Sequence, residues 1–163
     1  VGGYKPHKIG SRFRRQSVGP SPAYSFTAQV AEVSVDVETG VVHVDRVWVA
    51  HDCGLIINPD GVRNQIEGNL MQATSRALLE EVKWEGSRVT SVDWLTYPIL
   101  DMTEAPATID VVIVNRPDVK PSGAGEPSMR PLSAAIANAI YDATGVRLRQ
   151  APFTPDRLKA GFV

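Results

Sequence analysis

Valines 33, 35 and 37 alternate with Glu32, Ser34 and Asp36, the period of two that marks a strand with one apolar and one polar face. Glu38-Thr39-Gly40 supplies turn residues, and "VVHVDRVWVA" (41–50) returns as a second strand. The returning strand changes phase: Val42 and Val44 hold one register, Val47 and Val49 the other. A bulge at Asp45-Arg46 reconciles them. Together the two runs predict an antiparallel hairpin laid on a core.

The period then lengthens. Asn58 is a side-chain cap and Pro59 a first helical residue. Val62, Ile66, Leu70, Ala73, Ala77 and Leu78 follow at helical spacing, predicting a helix to about Glu81. "KWEGSRVTSVDW" reads as a short hairpin turning at Glu85-Gly86. "TIDVVIVNR" is one more strand, with Ile109, Val111 and Ile113 in phase. Pro131 opens a second helix with a buried stripe of Leu132, Ile136, Ala139, Ile140 and Ala143, and Gly145 stands where a left-handed cap is wanted. Thr154-Pro155 begins a short last helix closed by Gly161. The order hairpin, helix, hairpin, strand, helix predicts an α+β fold, a mostly antiparallel sheet with helices packed on it. Residues 1–23 lack either period and form an N-terminal arm, its basic run Arg12, Arg14 and Arg15 read as a solvated face; 24–163 form the folded part.

Composition narrows the function. With 163 residues, 43% hydrophobic and 21% charged, the chain can bury a core. A net charge of -1 gives no basic face for nucleic acid, and no apolar run reaches the roughly 20 residues of a membrane span. One cysteine, Cys53, excludes an internal disulfide, a self-contained iron–sulfur cluster and a thiolate zinc site. His7, His43 and His51 lack metal-ligand spacing, so no metal bound directly by side chains is expected, and His43 points outward on its strand. The chain begins at Val1, which suggests a processed product or an excised piece.

Three places carry candidate chemistry. Cys53 lies two residues from His51, a thiol and a base on one strand face, although a buried inert cysteine is the ordinary outcome there. Gln65, in "NQIEGNL", sits near a helix start where amides suit an oxyanion, or else on a solvated face. Gly68, inside that helix, suggests close approach by another group. "SGAGEPS" (122–128) is the third: two glycines bring the backbone close to a ligand, and Glu126 follows. A carboxylate there does proton-transfer work or is a turn residue favouring the next helix's positive end.

"DCGLIINPDGVRNQIEGNLMQATSRALLEEV" and "SGAGEPSMRPLSAAIANAIYDATGVRLRQAPFTPDRL" resemble the C-terminal part of the large, molybdenum-binding subunit of the xanthine dehydrogenase/aldehyde oxidase family. The isoquinoline 1-oxidoreductase beta-subunit type is the branch they look most like. The ordered set of hairpin, "DCGLIINP", "NQIEG" and "GAGEP" spans about residues 20–160 and is specific where a lone Gly-x-Gly-Glu is weak. The resemblance implies a molybdopterin-binding domain and hydroxylation of an N-heterocycle or aldehyde carbon with water-derived oxygen. It makes Glu126 the general base, Gln65 a cofactor contact, and Gly125, with Gly123 and Ala124, the backbone that approaches the cofactor. It implies molybdopterin with molybdenum, in the cytosine dinucleotide form of bacterial members. Iron–sulfur clusters and FAD or haem belong to partner chains. Family members are several times longer, so the expected partners are the rest of the molybdenum subunit, an iron–sulfur subunit and a flavin or cytochrome subunit. The alternative is a non-catalytic structural or assembly subunit of the same fold.

Overall fold

The computed structural model describes residues 25–162; the predicted arm lies outside them. The hairpin is β1 (Phe26–Val35) paired antiparallel with β2 (Val42–Asp52). The bulge falls where predicted: Glu32 faces Arg46 but Val33 faces Val44, leaving Asp45 as the extra residue. With that one insertion Val42, Val44, Val47 and Val49 are all buried on the same face. The turn starts earlier than the valine alternation suggests. The Asp36 carboxylate accepts from the Glu38 and Thr39 amides at 2.9 and 3.1 Å, which curls the chain before Val37 can join the strand and leaves Val37 exposed.

α1 (Pro59–Leu78) is capped by Asn58, whose side chain accepts from the Gly61 amide at 2.9 Å. It stops three residues short of the expected end. The Leu79 and Glu80 amides both turn back to the Ser75 carbonyl, and the Phe153 amide takes the Ala77 carbonyl at 2.6 Å, so a distant segment satisfies a helix-end group. The small hairpin forms as β3 (Trp84–Glu85) and β4 (Arg88–Val89), with Gly86 at positive φ between them. β5 (Thr108–Val114) joins β2 in parallel, so the main sheet has order β1-β2-β5 and is mixed. α2 (Leu132–Thr144) ends on Gly145 at φ 74, as predicted. Its buried line is Leu132, Ile136 and Ile140; Ala143 is exposed, because a ridge of i+4 steps passes to Thr144 and leaves position 143 off the contact. α3 (Pro155–Lys159) follows Thr154.

The two long helices cover one face of the sheet, and Ile66, Leu70, Ala73, Ile136 and Ile140 meet Val44, Val47 and Val49 there. The other face shows Phe26, Val30, Trp48, Val112 and Val114 to solvent, so the hairpin's outer side mixes apolar side chains with polar ones such as Glu32 and Arg46. Among the described residues no helix is long and apolar enough to cross a membrane.

Candidate functional site

The loop between β5 and α2 is attached to the exit of β2 before it reaches the glycines. Leu55 donates to the Val119 carbonyl at 2.9 Å, Arg116 to Gly54 at 3.2 Å and Ser122 to Cys53 at 2.9 Å. The approach is close enough that a methyl group on Gly54, which has φ 80, would lie 2.4 Å from the Lys120 carbonyl oxygen. Asp52 holds this corner by accepting from the Gly54 amide at 3.0 Å and standing 2.8 Å from the Arg116 guanidinium.

Beyond Ser122 the carbonyls of the two glycines are tied inward. Ser25 donates to Gly123 at 2.8 Å. Gln65 and Asn69, one turn apart on α1, both donate to Gly125, at 2.8 and 2.6 Å. Asn69 also donates to the Ser128 hydroxyl at 2.8 Å, and the Gln29 amide donates to the Ser128 carbonyl. The loop's own N–H groups are treated differently. Among the described residues, the amides of Gly123, Ala124, Gly125 and Glu126 have no hydrogen-bond partner. Apart from their chain neighbours, no atom of the described residues lies within 4 Å of where a side chain on Gly123 or Gly125 would begin. Packing among the described residues does not demand these glycines, although Gly123 has φ 82. They border a cleft of about 380 Å³ whose opposite wall is Cys53, Leu55, Ile57, Val62 and Gln65.

Glu126 follows directly on Gly125, the last residue of the loop that lines this cleft. A single 3₁₀ turn, Pro127–Met129, begins right after it, but its carboxylate does not cap that turn. It is exposed and accepts no hydrogen bond among the described residues. The reading of Glu126 as a helix-start residue therefore has no contact behind it. Gly68 is also open: outside its own helix, nothing among the described residues lies within 4 Å of where its side chain would begin.

Cys53 and His51 do not form a nucleophile pair. Cys53 is buried, and burial pushes its thiol upward, reinforced by the Asp52 charge. The His51 Nδ1 is instead 2.8 Å from the Thr27 hydroxyl, and its Nε2 is buried without a partner among the described residues. Burial lowers the His51 imidazole below its ordinary value, against the smaller pull of Asp52. The unfolded chain then binds this proton more readily, so the contribution to stability is full above the unfolded value of about 6.5 and is lost as pH falls below it. Thermal melting is expected to occur several degrees lower at pH 5.5 than at pH 7.5, and H51Q should flatten that difference; equal slopes for both proteins would refute the assignment. Among the described residues no three His, Cys, Asp or Glu side chains converge on a point. Asn69, Ser128, Ser25 and Gln29 were not singled out in the sequence. Asn69 alone had a readable signal, four residues after Gln65 on one helix face.

Residues 2–106 match the family model of the molybdopterin cofactor-binding domain. A nicotinate dehydrogenase subunit of Pseudomonas putida is 50% identical over 143 residues, covering 88% of this chain and 12% of that protein. The beta subunit of isoquinoline 1-oxidoreductase from Brevundimonas diminuta is 34% identical over 128 residues, covering 78% of this chain and 16% of its own length. The solved aldehyde oxidoreductase from Desulfovibrio gigas superposes with a TM-score of 0.76 at 33% identity, over 85% of this chain and 15% of that one. The chain belongs to the molybdopterin cofactor-binding domain family, within the molybdenum-binding subunits of the xanthine dehydrogenase/aldehyde oxidase group. It spans about an eighth to a sixth of the length of these relatives.

Proposed function

We propose that this chain forms the proton-accepting wall of a molybdopterin site in a hydroxylase that oxidises an electron-poor carbon with water-derived oxygen. The observation that carries the reading is the asymmetry of loop 122–126. The Gly123 and Gly125 carbonyls are bound inward, four successive amides are unpartnered among the described residues, and the carboxylate beside them is uncommitted. Such a surface suits an electronegative ligand edge next to a group that loses a proton. The glycine-lined gap, which a Cβ would begin to fill, fits a large cofactor lying against the main chain. Molybdopterin with molybdenum supplies two-electron redox capacity and a Lewis-acidic centre when bound. In this chain Gly123, Ala124 and Gly125 would hold it through their backbone N–H groups. Gln65 keeps its carbonyl oxygen available while its amide holds the loop. Glu126 would take the proton from the water-derived oxygen nucleophile as that oxygen bonds to the substrate carbon, the two electrons of the oxidation passing to the bound cofactor. An N-heterocycle or an aldehyde is the proposed substrate class, in keeping with the names of the relatives. The cytosine dinucleotide form, the remainder of the molybdenum subunit, an iron–sulfur partner and a flavin or haem partner belong to the same proposal.

G125A tests the reading directly. The backbone there is not left-handed and the neighbourhood is empty, so the melting temperature should stay within a degree or two. Displacing the cofactor by a methyl group should nevertheless lower turnover about ten- to a hundredfold. Normal turnover in G125A would count against an occupied gap. The second reading, a non-catalytic assembly subunit, is favoured only by the exposure of Glu126; a purified complex without molybdenum would select it.

A further inference from the structure

We propose that Asn69 is a positioning residue for Glu126, its buried amide bracketing the carboxylate-bearing turn on both sides. The proposal rests on the reading of Glu126 as the base. Asn69 is 4% exposed and Ser128 fully buried, polar groups in a region otherwise packed with Ile66, Leu70 and Ala73. Burying an amide is unfavourable unless its hydrogen bonds are made, and Asn69 directs its amide nitrogen at two acceptors: the Gly125 carbonyl, immediately before Glu126, and the Ser128 hydroxyl, two residues after it. Gln65 donates to the same Gly125 carbonyl, filling both of its acceptor positions. The Gln29 side chain on β1 holds the Ser128 carbonyl from the sheet side. The turn is thus gripped between α1 and the hairpin.

Glu126 itself has no such anchor. Its backbone sits at φ -106, ψ 2, in the bridge region, and its carboxylate accepts no hydrogen bond among the described residues. The direction in which the acid leaves the turn is therefore inherited from the main chain, and among the described residues Asn69 is the one side chain that grips that chain on both sides of it. An apolar residue at position 69 would leave the Ser128 hydroxyl without its Asn69 donor and the Gly125 carbonyl with a single donor.

The test uses N69A, S128A and E126Q in the molybdenum-loaded subunit containing this chain. In N69A, hydrogen–deuterium exchange of the peptide spanning 122–130 should quicken about tenfold while peptides of α1 keep their protection. Turnover should fall about ten- to a hundredfold with KM within about threefold, and the acid limb of the pH profile should move because the base has changed surroundings. S128A, which removes one of the two acceptors, should shift both readouts less, and it decides the matter if N69A does not accumulate. Unchanged exchange at 122–130, or turnover within twofold of wild type, overturns the role of Asn69. E126Q separates the two claims: activity retained in E126Q defeats the base assignment, whereas an inactive E126Q beside an active N69A defeats only the clamp.

Discussion

E126Q is expected to lose about 10²- to 10⁴-fold in turnover per molybdenum, the range spanned by general acid–base catalysis, while its molybdenum content stays near wild type. Glutamine keeps the shape of the side chain and removes the ability to take a proton. The loop should not notice the change, because nothing described in the chain depends on the carboxylate. The turn is held through Gly123, Gly125 and Ser128 by Ser25, Gln65, Asn69 and Gln29, and Glu126 does not cap the 3₁₀ turn that follows it. A structural role for Glu126 predicts the reverse pattern, a lowered melting temperature with activity per folded molecule preserved. Steady-state kinetics normalised to metal, read beside a thermal melt, separate the two.

The second large effect is on the framework. G54A should destabilise the fold by about 2–4 kcal/mol, the range of substitutions that force a special backbone conformation. Two costs combine. Alanine at φ 80 carries the left-handed penalty of about 1–2 kcal/mol. Its methyl group also meets the Lys120 oxygen at 2.4 Å and the Val119 oxygen at 3.0 Å, both backbone atoms that cannot swing aside. Relief requires segment 116–122 to move off β2, weakening the Leu55, Arg116 and Ser122 bonds together. Those same bonds carry the loop to the cleft, so turnover should fall along with stability. Chemical denaturation of G54A and G125A side by side checks this. A loss of less than about 0.5 kcal/mol in G54A, the level of an ordinary surface change, would contradict the account.

What the residues disclosed in advance depended on how local the cause was. Hairpin, bulge, the Asn58-Pro59 helix start and the Gly145 cap are each set by a few neighbouring side chains, and each was readable. The parallel pairing of β2 with β5 was not, because the partners come together only after α1 and the small hairpin intervene. The first half of β1 was hidden for a more telling reason. There Thr27 and Gln29 point inward while Phe26 and Val30 point out, the reverse of the pattern that marks a half-buried strand. The inward polar residues are the ones that reach His51 and the Ser128 carbonyl. Local rules failed where the chain holds its candidate site together, as expected when polar contacts override hydrophobic patterning. Glu126 stood out because its glycine neighbours did; Asn69 and Ser128 did not, because a buried amide and a buried hydroxyl gain meaning only from partners 59 residues away.

The most direct test of the central claim is a crystal structure of the molybdenum-loaded subunit containing this chain. The account predicts the Glu126 carboxylate turned into the cofactor cleft, within the roughly 2.6–3.2 Å reach that proton transfer requires, with Gly123–Gly125 lying against the cofactor. A carboxylate directed into bulk solvent, with the pterin seated elsewhere, would contradict it.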